Sequence, residues 1–237
     1  PTSSEPGSLV LDETGYIIYS SLMAQRKTLL VNGEYYHIFN HSVAGIPIFK
    51  GMRENQLFLE AMKFYLQPNP PTKFSVYRKS RQSFPIKLDQ KLVSIINYNL
   101  MPNHFHLTLR QEQDNGVRKF IQKIWNSFAH YFTLKYHSRG HIFEDKFKAV
   151  RIETDEQLIH LSRYIHLNPV TSYLVEKPED YLYSSFKIYL GHETSEIVDP
   201  SPVLSHFSSP EKYYDFVLSQ KDYQRTLNKI KHLLIED

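Results

Sequence analysis

Two histidines one residue apart, His104 and His106, stand in the stretch MPNHFHLTLR at residues 101–110. The alternation of this stretch is typical of a β-strand, in which every second side chain points to the same face. The two histidines would then share one face, while the apolar residues between and after them bury the other. Residues two apart are roughly 6.5–7 Å apart along a strand, so both imidazoles can lean onto one cation. Neutral imidazole binds first-row metals together with oxygen ligands, so the pair predicts a metal site.

The pair by itself is a weak signal, because the chain has 12 histidines in 237 residues. At that frequency, about 0.6 His-x-His pairs arise by chance. Two surface or packed histidines are therefore the alternative explanation. His37, His41, His130 and His160 show no comparable spacing, and we expect them to be structural.

A tyrosine and an asparagine further along the chain strengthen the metal interpretation. Residues 155–167 have apolar residues at helical spacing, which places Gln157, Leu161, Tyr164 and Asn168 on one stripe of a helix. Tyr164 and Asn168 are four apart, so a phenol and an amide oxygen face the same neighbour. A phenol beside a divalent cation can act as a nucleophile. The alternative is an interfacial tyrosine followed by a helix-ending asparagine, a serious competitor in a chain with 17 tyrosines.

The rest of the pattern predicts the elements that position these residues. We expect strands and helices at the spacings typical of each, with strands at 34–41, 92–99, 104–110 and 146–153 and helices at 54–66, 115–137, 155–167 and 210–235. This order predicts an α+β fold with one antiparallel sheet and helices packed on it.

Three local signals refine this prediction. Thr154, followed by Gln157 three residues later, predicts a capping box at the start of the helix that carries Tyr164. Pro169 predicts that this helix ends near Asn168, because the residue before a proline avoids helical geometry. Residues 68–90 contain four prolines and predict a long basic loop with one short strand around 74–78.

Composition excludes several classes of function. The chain has no cysteine, which excludes disulfides, thiolate metal sites and cysteine nucleophiles and fits a reducing compartment. No stretch approaches the roughly 20 apolar residues of a membrane span, and the start of the chain lacks a secretory signal pattern. Residues 1–22 differ in character from the stretch that begins at Met23, so we expect them to be a leader or an extension added to the natural chain.

Several separated blocks of the sequence resemble one protein family. They are NYNLMPNHFHLTL, the downstream GHIFEDKFKAVRIETDEQLIHLSRYIHLNPV, and the outer stretches YYHIFNHSVAGIPIF and PEDYLYSSFKIYLG. In this order they resemble the single-tyrosine HUH transposases, in particular the REP-associated tyrosine transposases and the related small insertion-sequence transposases of bacteria. The family-like part is the domain at 23–191. The basic insert at 68–90 and the acidic tail with a helix at 192–237 depart from the pattern.

The resemblance implies a ferredoxin-like or RRM-like HUH endonuclease core and a role for each matching residue. His104 and His106 would bind Mg²⁺ or Mn²⁺, Tyr164 would be the catalytic tyrosine, and Asn168 would complete the metal site. The substrate would be single-stranded DNA with an adjacent hairpin, cleaved and rejoined through a 5′-phosphotyrosine. The resemblance also implies a cytoplasmic, nucleoid-associated bacterial protein, which would act as a monomer or a homodimer and need no membrane.

Basic charge is concentrated where such a substrate would bind. Residues 73–91 carry six basic residues and one acid, residues 118–151 carry eight and two, and the last 45 residues have a net charge of −3. This distribution suits a polyanion, although two solvated basic surfaces would give the same pattern. The candidate phosphate contacts are Lys123, Lys146, Lys148 and Arg151.

Three other functions use the same residues differently. A DNA-hairpin-binding protein could keep the fold and have lost turnover, although the two histidines and Tyr164 are all present. A metal-dependent hydrolase would use an activated water and form no covalent adduct. A relaxase or replication initiator of the wider HUH group would also attack through tyrosine, but the downstream blocks fit the transposase branch better.

Overall fold

A computed structural model describes residues 28–80, 84–144, 146–221 and 225, and the backbone alone of residues 9–11 and 17–19. A small hairpin of β1 (Leu9–Leu11) and β2 (Ile17–Tyr19) lies against the last strand of the main sheet and the helix that follows that strand. Within the described ranges, no helix combines the length and apolar character needed to cross a membrane.

The main sheet has four antiparallel strands in the spatial order β4-β5-β3-β6. These strands are β3 (Tyr35–His41), β4 (Val93–Met101), β5 (His104–Gln111) and β6 (Lys148–Ile152). The helices are α1 (Met52–Tyr65), α2 (Phe74–Lys79), α3 (Gly116–Tyr136), α4 (Asp155–Thr171), α5 (Phe186–Tyr189), α6 (Ser201–Leu204) and α7 (Pro210–Leu218). The chain order of the sheet strands with α1 and α3 is β-α-β-β-α-β, and the strand order is that of a ferredoxin-like core. The predicted α+β class is confirmed.

One face of the sheet is apolar and is covered by α1 and α3. On β5, Phe105, Leu107 and Leu109 are fully buried. The Phe105 ring contacts Phe58 of α1 at a centroid distance of 5.4 Å, and Phe58 in turn meets Phe128 of α3 at 5.4 Å. Burial of each such side chain stabilises the fold by roughly 1.5–3 kcal/mol. This packing holds β5 so that its alternate side chains must point to the opposite face.

The opposite face of the sheet carries α4. Thr154 caps α4 by accepting a hydrogen bond from the Gln157 backbone N–H at 3.1 Å, as the capping-box prediction requires. The Gln157 side chain returns to the backbone N–H of Glu153 at 2.7 Å, one residue before the expected partner. Leu158 and Ile165 of α4 are buried in the hydrophobic core, while Asn168 of the same helix meets His106.

Three predictions about single elements are wrong in part. The last helix, predicted at 210–235, ends at Leu218, and residues 226–235 lie outside the described part of the chain. The helix α4 continues through Pro169 to Thr171. A proline near the end of a helix removes a single backbone hydrogen bond, and burial of Pro169, Val170 and Thr171 against the core outweighs that loss. Residues 74–78 lie in the helix α2 and not in a strand, because Phe74 packs its ring against Phe64 of α1.

The segment after α4 covers the free edge of β4. The Leu100 backbone N–H donates to Tyr183 O at 2.9 Å, and the Ser185 N–H donates to Tyr98 O at 3.0 Å. The Tyr181 hydroxyl also donates to Leu100 O at 2.6 Å. Edge strands with unpaired backbone groups invite pairing with other chains, so this cover closes the sheet on the β4 side.

Helix α7, in the acidic tail, is fastened to α4 by a buried tyrosine. The hydroxyl of Tyr213 lies 2.6 Å from Ser162 Oγ and 2.6 Å from His166 Nδ1. All three side chains are fully buried. Ser162 and His166 lie on α4 beside Tyr164, so the tail contacts the same helix that carries the candidate nucleophile.

We predict that Tyr213→Phe destabilises the protein by about 1–3 kcal/mol, because two buried polar groups lose their partner. Chemical unfolding at neutral pH measures the effect. The control is Tyr214→Phe, whose partly exposed hydroxyl reaches Glu179 at 3.2 Å, and it should cost about 0.5 kcal/mol or less. Equal stability of the two variants would contradict the role given to Tyr213.

Candidate active site

The pairing of β3 with β5 gathers histidines on one face of the sheet. His41 lies directly opposite His104, and Phe39 lies opposite His106. The His41 and His104 rings stack at 4.8 Å between centroids, and the His104 and His106 rings meet edge to face at 5.0 Å. The predicted common face of His104 and His106 is therefore observed, and His41 extends the cluster.

Helix α4 brings Tyr164 and Asn168 to this cluster. The Tyr164 ring meets the His106 ring edge to face, with centroids 5.6 Å apart. Asn168 Nδ2 lies 3.0 Å from His106 Nε2, one helical turn after Tyr164 on the same helix. The structure thus places together four residues selected from the sequence. Tyr164 and His104 are partly exposed to solvent, whereas His106 and Asn168 are buried.

His37 and His41, which the sequence analysis assigned to a structural role, contact this pair. His37 Nε2 lies 2.9 Å from His106 Nδ1, and the His37 ring meets the Tyr164 ring at 6.5 Å. The signal was present in EYYHIFNH, where His37 and His41 share one face of the first predicted strand. Only the register of β3 against β5 shows that this face is the one that carries His104 and His106.

Sequence reasoning also missed Asn103, which precedes the histidine pair. Its Oδ1 lies 2.7 Å from His104 Nδ1. The loop that follows β3 fixes this turn, because the Ser42 backbone N–H donates to Asn103 O at 2.7 Å. The turn was predicted, but a role for its side chain was not.

The four candidate phosphate contacts fall into two groups. Lys148 lies beside the site, with its ammonium 5.8 Å from the centre of the Phe39 ring, and Lys146 is exposed just before β6. Lys123 donates to Pro68 O at 2.8 Å, and Arg151 forms an ion pair with Glu34 at 3.0 Å. Lys148 is therefore the cation that the fold brings nearest to the histidine cluster among these four.

Burial keeps the histidines of the site neutral. It lowers the pKa of His37 and of His104 to about 3, in the second case with help from neighbouring His41. The pKa of His106 falls well below its ordinary range because of burial and the three histidines around it. Neutral imidazole keeps the lone pair that a metal ligand needs.

The phenol of Tyr164 is protonated at neutral pH. Burial raises its pKa above the ordinary value of 10.0, and the hydrogen bond from Asn168 offsets part of that rise. A neutral phenol is a weak nucleophile. Any reaction through this oxygen therefore needs help from groups or ions at the site.

The sequence of residues 73–168 matches the family described as "Transposase IS200 like". This range includes His104 and His106 of β5 and Tyr164 and Asn168 of α4. The residues that β3 contributes to the site precede the matched range and were found from the fold.

The chain shares its fold with a solved structure described as "Structure of the REP associates tyrosine transposase bound to a REP hairpin". The two share 17% sequence identity with a TM-score of 0.53, over 79% of this chain and 96% of the other. At this identity the likeness shows a common fold. A comparison with curated proteins found no match.

We predict that the metal-free protein loses stability as the pH falls below about 6.5. His37 and His166 are fully buried, and burial lowers the pKa of each to about 3. Below pH 6.5 these two histidines therefore bind protons in the unfolded chain but stay neutral in the folded chain. The free energy of unfolding is at its full value above the pKa that these histidines have in the unfolded chain. Between pH 6 and 3 it declines by about 1.4 kcal/mol per pH unit for each histidine.

Chemical unfolding at pH 7.0 and pH 5.5 in a chelating buffer measures this decline. The buried carboxylate of Glu54 has a lowered pKa, so its own contribution is lost only below its ordinary value of 4.5 and does not affect this interval. Equal unfolding midpoints at the two pH values would show that these histidines are not held neutral.

Proposed function

We propose that this protein cleaves and rejoins single-stranded DNA at hairpin-associated sites, such as REP-like repeats or insertion-sequence ends, through a 5′-phosphotyrosine on Tyr164. The observation that carries the proposal is the position of the Tyr164 ring, 5.6 Å from the His106 ring, with Asn168 of the same helix 3.0 Å from His106 Nε2. The transposase family supports the reaction class. The REP hairpin bound by the structural neighbour supports the substrate.

The side chains of the site fit a hard divalent cation, Mg²⁺ or Mn²⁺, held weakly. His104 and His106 are neutral, and the Asn168 amide can offer its oxygen after a half-turn. Among the described residues no group of three or more histidines and carboxylates could hold a metal. Two imidazoles and one amide would leave the remaining coordination positions of such a cation to DNA oxygens. When bound, the cation would polarise the scissile phosphate and stabilise the charge that develops there.

The protein residues perform the covalent step. The Tyr164 hydroxyl oxygen attacks phosphorus in line with the departing 3′ oxygen and gives up its proton. The new bond joins Tyr164 to the 5′ phosphate, and the bond from phosphorus to the 3′ oxygen breaks, which leaves a protonated 3′-hydroxyl. Because one phosphodiester replaces another, the step is reversible and the adduct can be joined to a second strand.

The geometry also supports several subordinate proposals. Tyr164 reaches His106 of its own chain, which favours action within one subunit, whether the protein is a monomer or a homodimer. Nucleoid association would follow from binding chromosomal repeats. The division of the chain at residues 22 and 191 stays a prediction, and α7 contacts α4 from beyond the second of these boundaries.

We predict that the wild-type protein, with Mn²⁺ and a hairpin-bearing oligonucleotide, gives a protein–DNA adduct that survives denaturation. Tyr164→Phe should abolish the adduct and keep hairpin binding, because only the attacking oxygen is lost. Denaturing electrophoresis of labelled DNA measures the adduct, and a mobility shift measures binding.

Tyr173→Phe provides the control, because Tyr173 is an exposed tyrosine at the end of α4. It should form the adduct at the wild-type level. Binding without an adduct in the wild type would indicate a hairpin-binding protein without turnover. Cleavage that persists in Tyr164→Phe would indicate a hydrolase that uses water.

We predict that Lys148→Ala weakens hairpin binding. The negative slope of the logarithm of the association constant against the logarithm of salt concentration should become shallower by about 1, as the loss of one phosphate contact requires. Binding titrations at several salt concentrations measure the slope. Lys212→Ala, an equally charged change on the exposed side of α7, should leave it unaltered. Identical slopes for wild type and Lys148→Ala would place the DNA elsewhere.

A further inference from the structure

His37 is a third histidine in contact with the candidate metal ligands. It lies on β3 opposite Thr108 and is fully buried. Its ring contacts two neighbours, with centroids 4.8 Å from Phe39 and 5.1 Å from His106. Its Nε2 lies 2.9 Å from His106 Nδ1, at hydrogen-bonding distance.

The partners of His106 fix which of its nitrogens carries the proton. A neutral imidazole has one nitrogen that donates and one that accepts. The amide nitrogen Asn168 Nδ2, which can only donate, lies 3.0 Å from His106 Nε2. His106 Nε2 therefore accepts, so Nδ1 carries the proton and donates it to His37 Nε2.

His104 reaches the same state through a different partner. Its Nδ1 lies 2.7 Å from Asn103 Oδ1, and an amide oxygen can only accept. Nδ1 of His104 therefore carries the proton. Both histidines of the pair keep their lone pair on Nε2, the one nitrogen of each ring that is left for a cation.

We propose that His37 is a positioning residue that holds His106 in the tautomer with its proton on Nδ1, so that the Nε2 lone pair faces Asn168 and Tyr164. This inference rests on the proposed function, since the cation would bind on that side of the ring. Histidine ligands of metals almost always donate their second ring N–H to a fixed acceptor, which sets both the tautomer and the ring orientation.

The surroundings of His37 suit this role. Because burial lowers its pKa to about 3, its Nε2 has a lone pair available for His106 throughout the neutral range. Its fully buried ring is held by contacts with Phe39 and by the hydrogen bond to His106. His37 also contacts the Tyr164 ring, so one side chain adjoins both the ligand and the nucleophile.

Nuclear magnetic resonance of histidine ring nitrogens in the metal-free protein tests the tautomer directly. The His106 signals are assigned from their loss in His106→Gln. We expect the proton on Nδ1 in the wild type and a shift towards Nε2 in His37→Leu, which removes the acceptor. His37→Gln, which can offer an amide oxygen, should keep at least part of the Nδ1 form.

Binding of Mn²⁺ to the same variants, followed by calorimetry without DNA, provides the second measurement. His37→Leu should bind about 10- to 100-fold more weakly, the usual effect of removing the partner of a metal ligand. His37→Gln should recover part of the loss. Tyr181→Phe is the control, because it removes a hydrogen bond to the backbone of β4 that involves neither His106 nor α4, and it should keep the wild-type tautomer and affinity.

The outcomes separate this inference from the proposed function. A proton on Nε2 of His106 in the wild type, or wild-type Mn²⁺ affinity in His37→Leu, overturns the role of His37 and leaves the function standing. A wild-type protein that binds no Mn²⁺ and forms no adduct overturns the function. The tautomer measurement needs no metal, and it then still decides whether His37 sets the state of His106. If His37→Leu does not fold, the wild-type spectrum and His37→Gln decide the question.

Discussion

The register between β3 and β5 is the constraint on which the site depends. Seven consecutive antiparallel pairs run from Tyr35 opposite Arg110 to His41 opposite His104. A slip of one residue would turn every side chain of β3 to the other face of the sheet. Ile38 is fully buried on the apolar face beside Leu107, so the hydrophobic core fixes the register. The same register then places His37, Phe39 and His41 beside the pair on β5.

The polar face that results is held together by hydrogen bonds between neutral groups. Buried polar groups destabilise a protein unless they are paired, and here His37, His106 and Asn168 form a connected series. Burial disfavours the charged form of each titratable member. In the proposed reaction, the opposite charges of a cation and a phosphate would enter a site that is itself uncharged, where their attraction is screened less than in water.

The elements after α4 hold the helix that completes the site. Tyr213 of α7 binds Ser162 and His166, and His166 Nε2 also meets Ser185 Oγ at 2.9 Å. Ser185 in turn bonds to the backbone of β4. Helix α4 is thereby connected to the sheet edge and to the tail, while its opposite side presents Tyr164. A tail that looked separate in sequence is part of the support for the helix that carries Tyr164.

Local periodicity was enough to predict the α+β class, the common face of His104 and His106, and the position of Tyr164 and Asn168 along one helix. Each of these depends on the spacing of residues within a single segment, which can be read directly from the chain. The same reasoning misplaced the end of α4 and assigned residues 74–78 to a strand, because burial of Pro169 and Phe74 overrode local preference.

The neighbours of each strand became known from the folded chain alone, and with them the membership of His37 and His41 in the site. The same is true of the partner that each ring nitrogen of His106 engages. Such contacts join residues that are tens of positions apart, and no periodicity within a single segment encodes them. The amino-acid sequence specified the chemical groups on each strand and helix, and the packing of the apolar face decided how those groups meet.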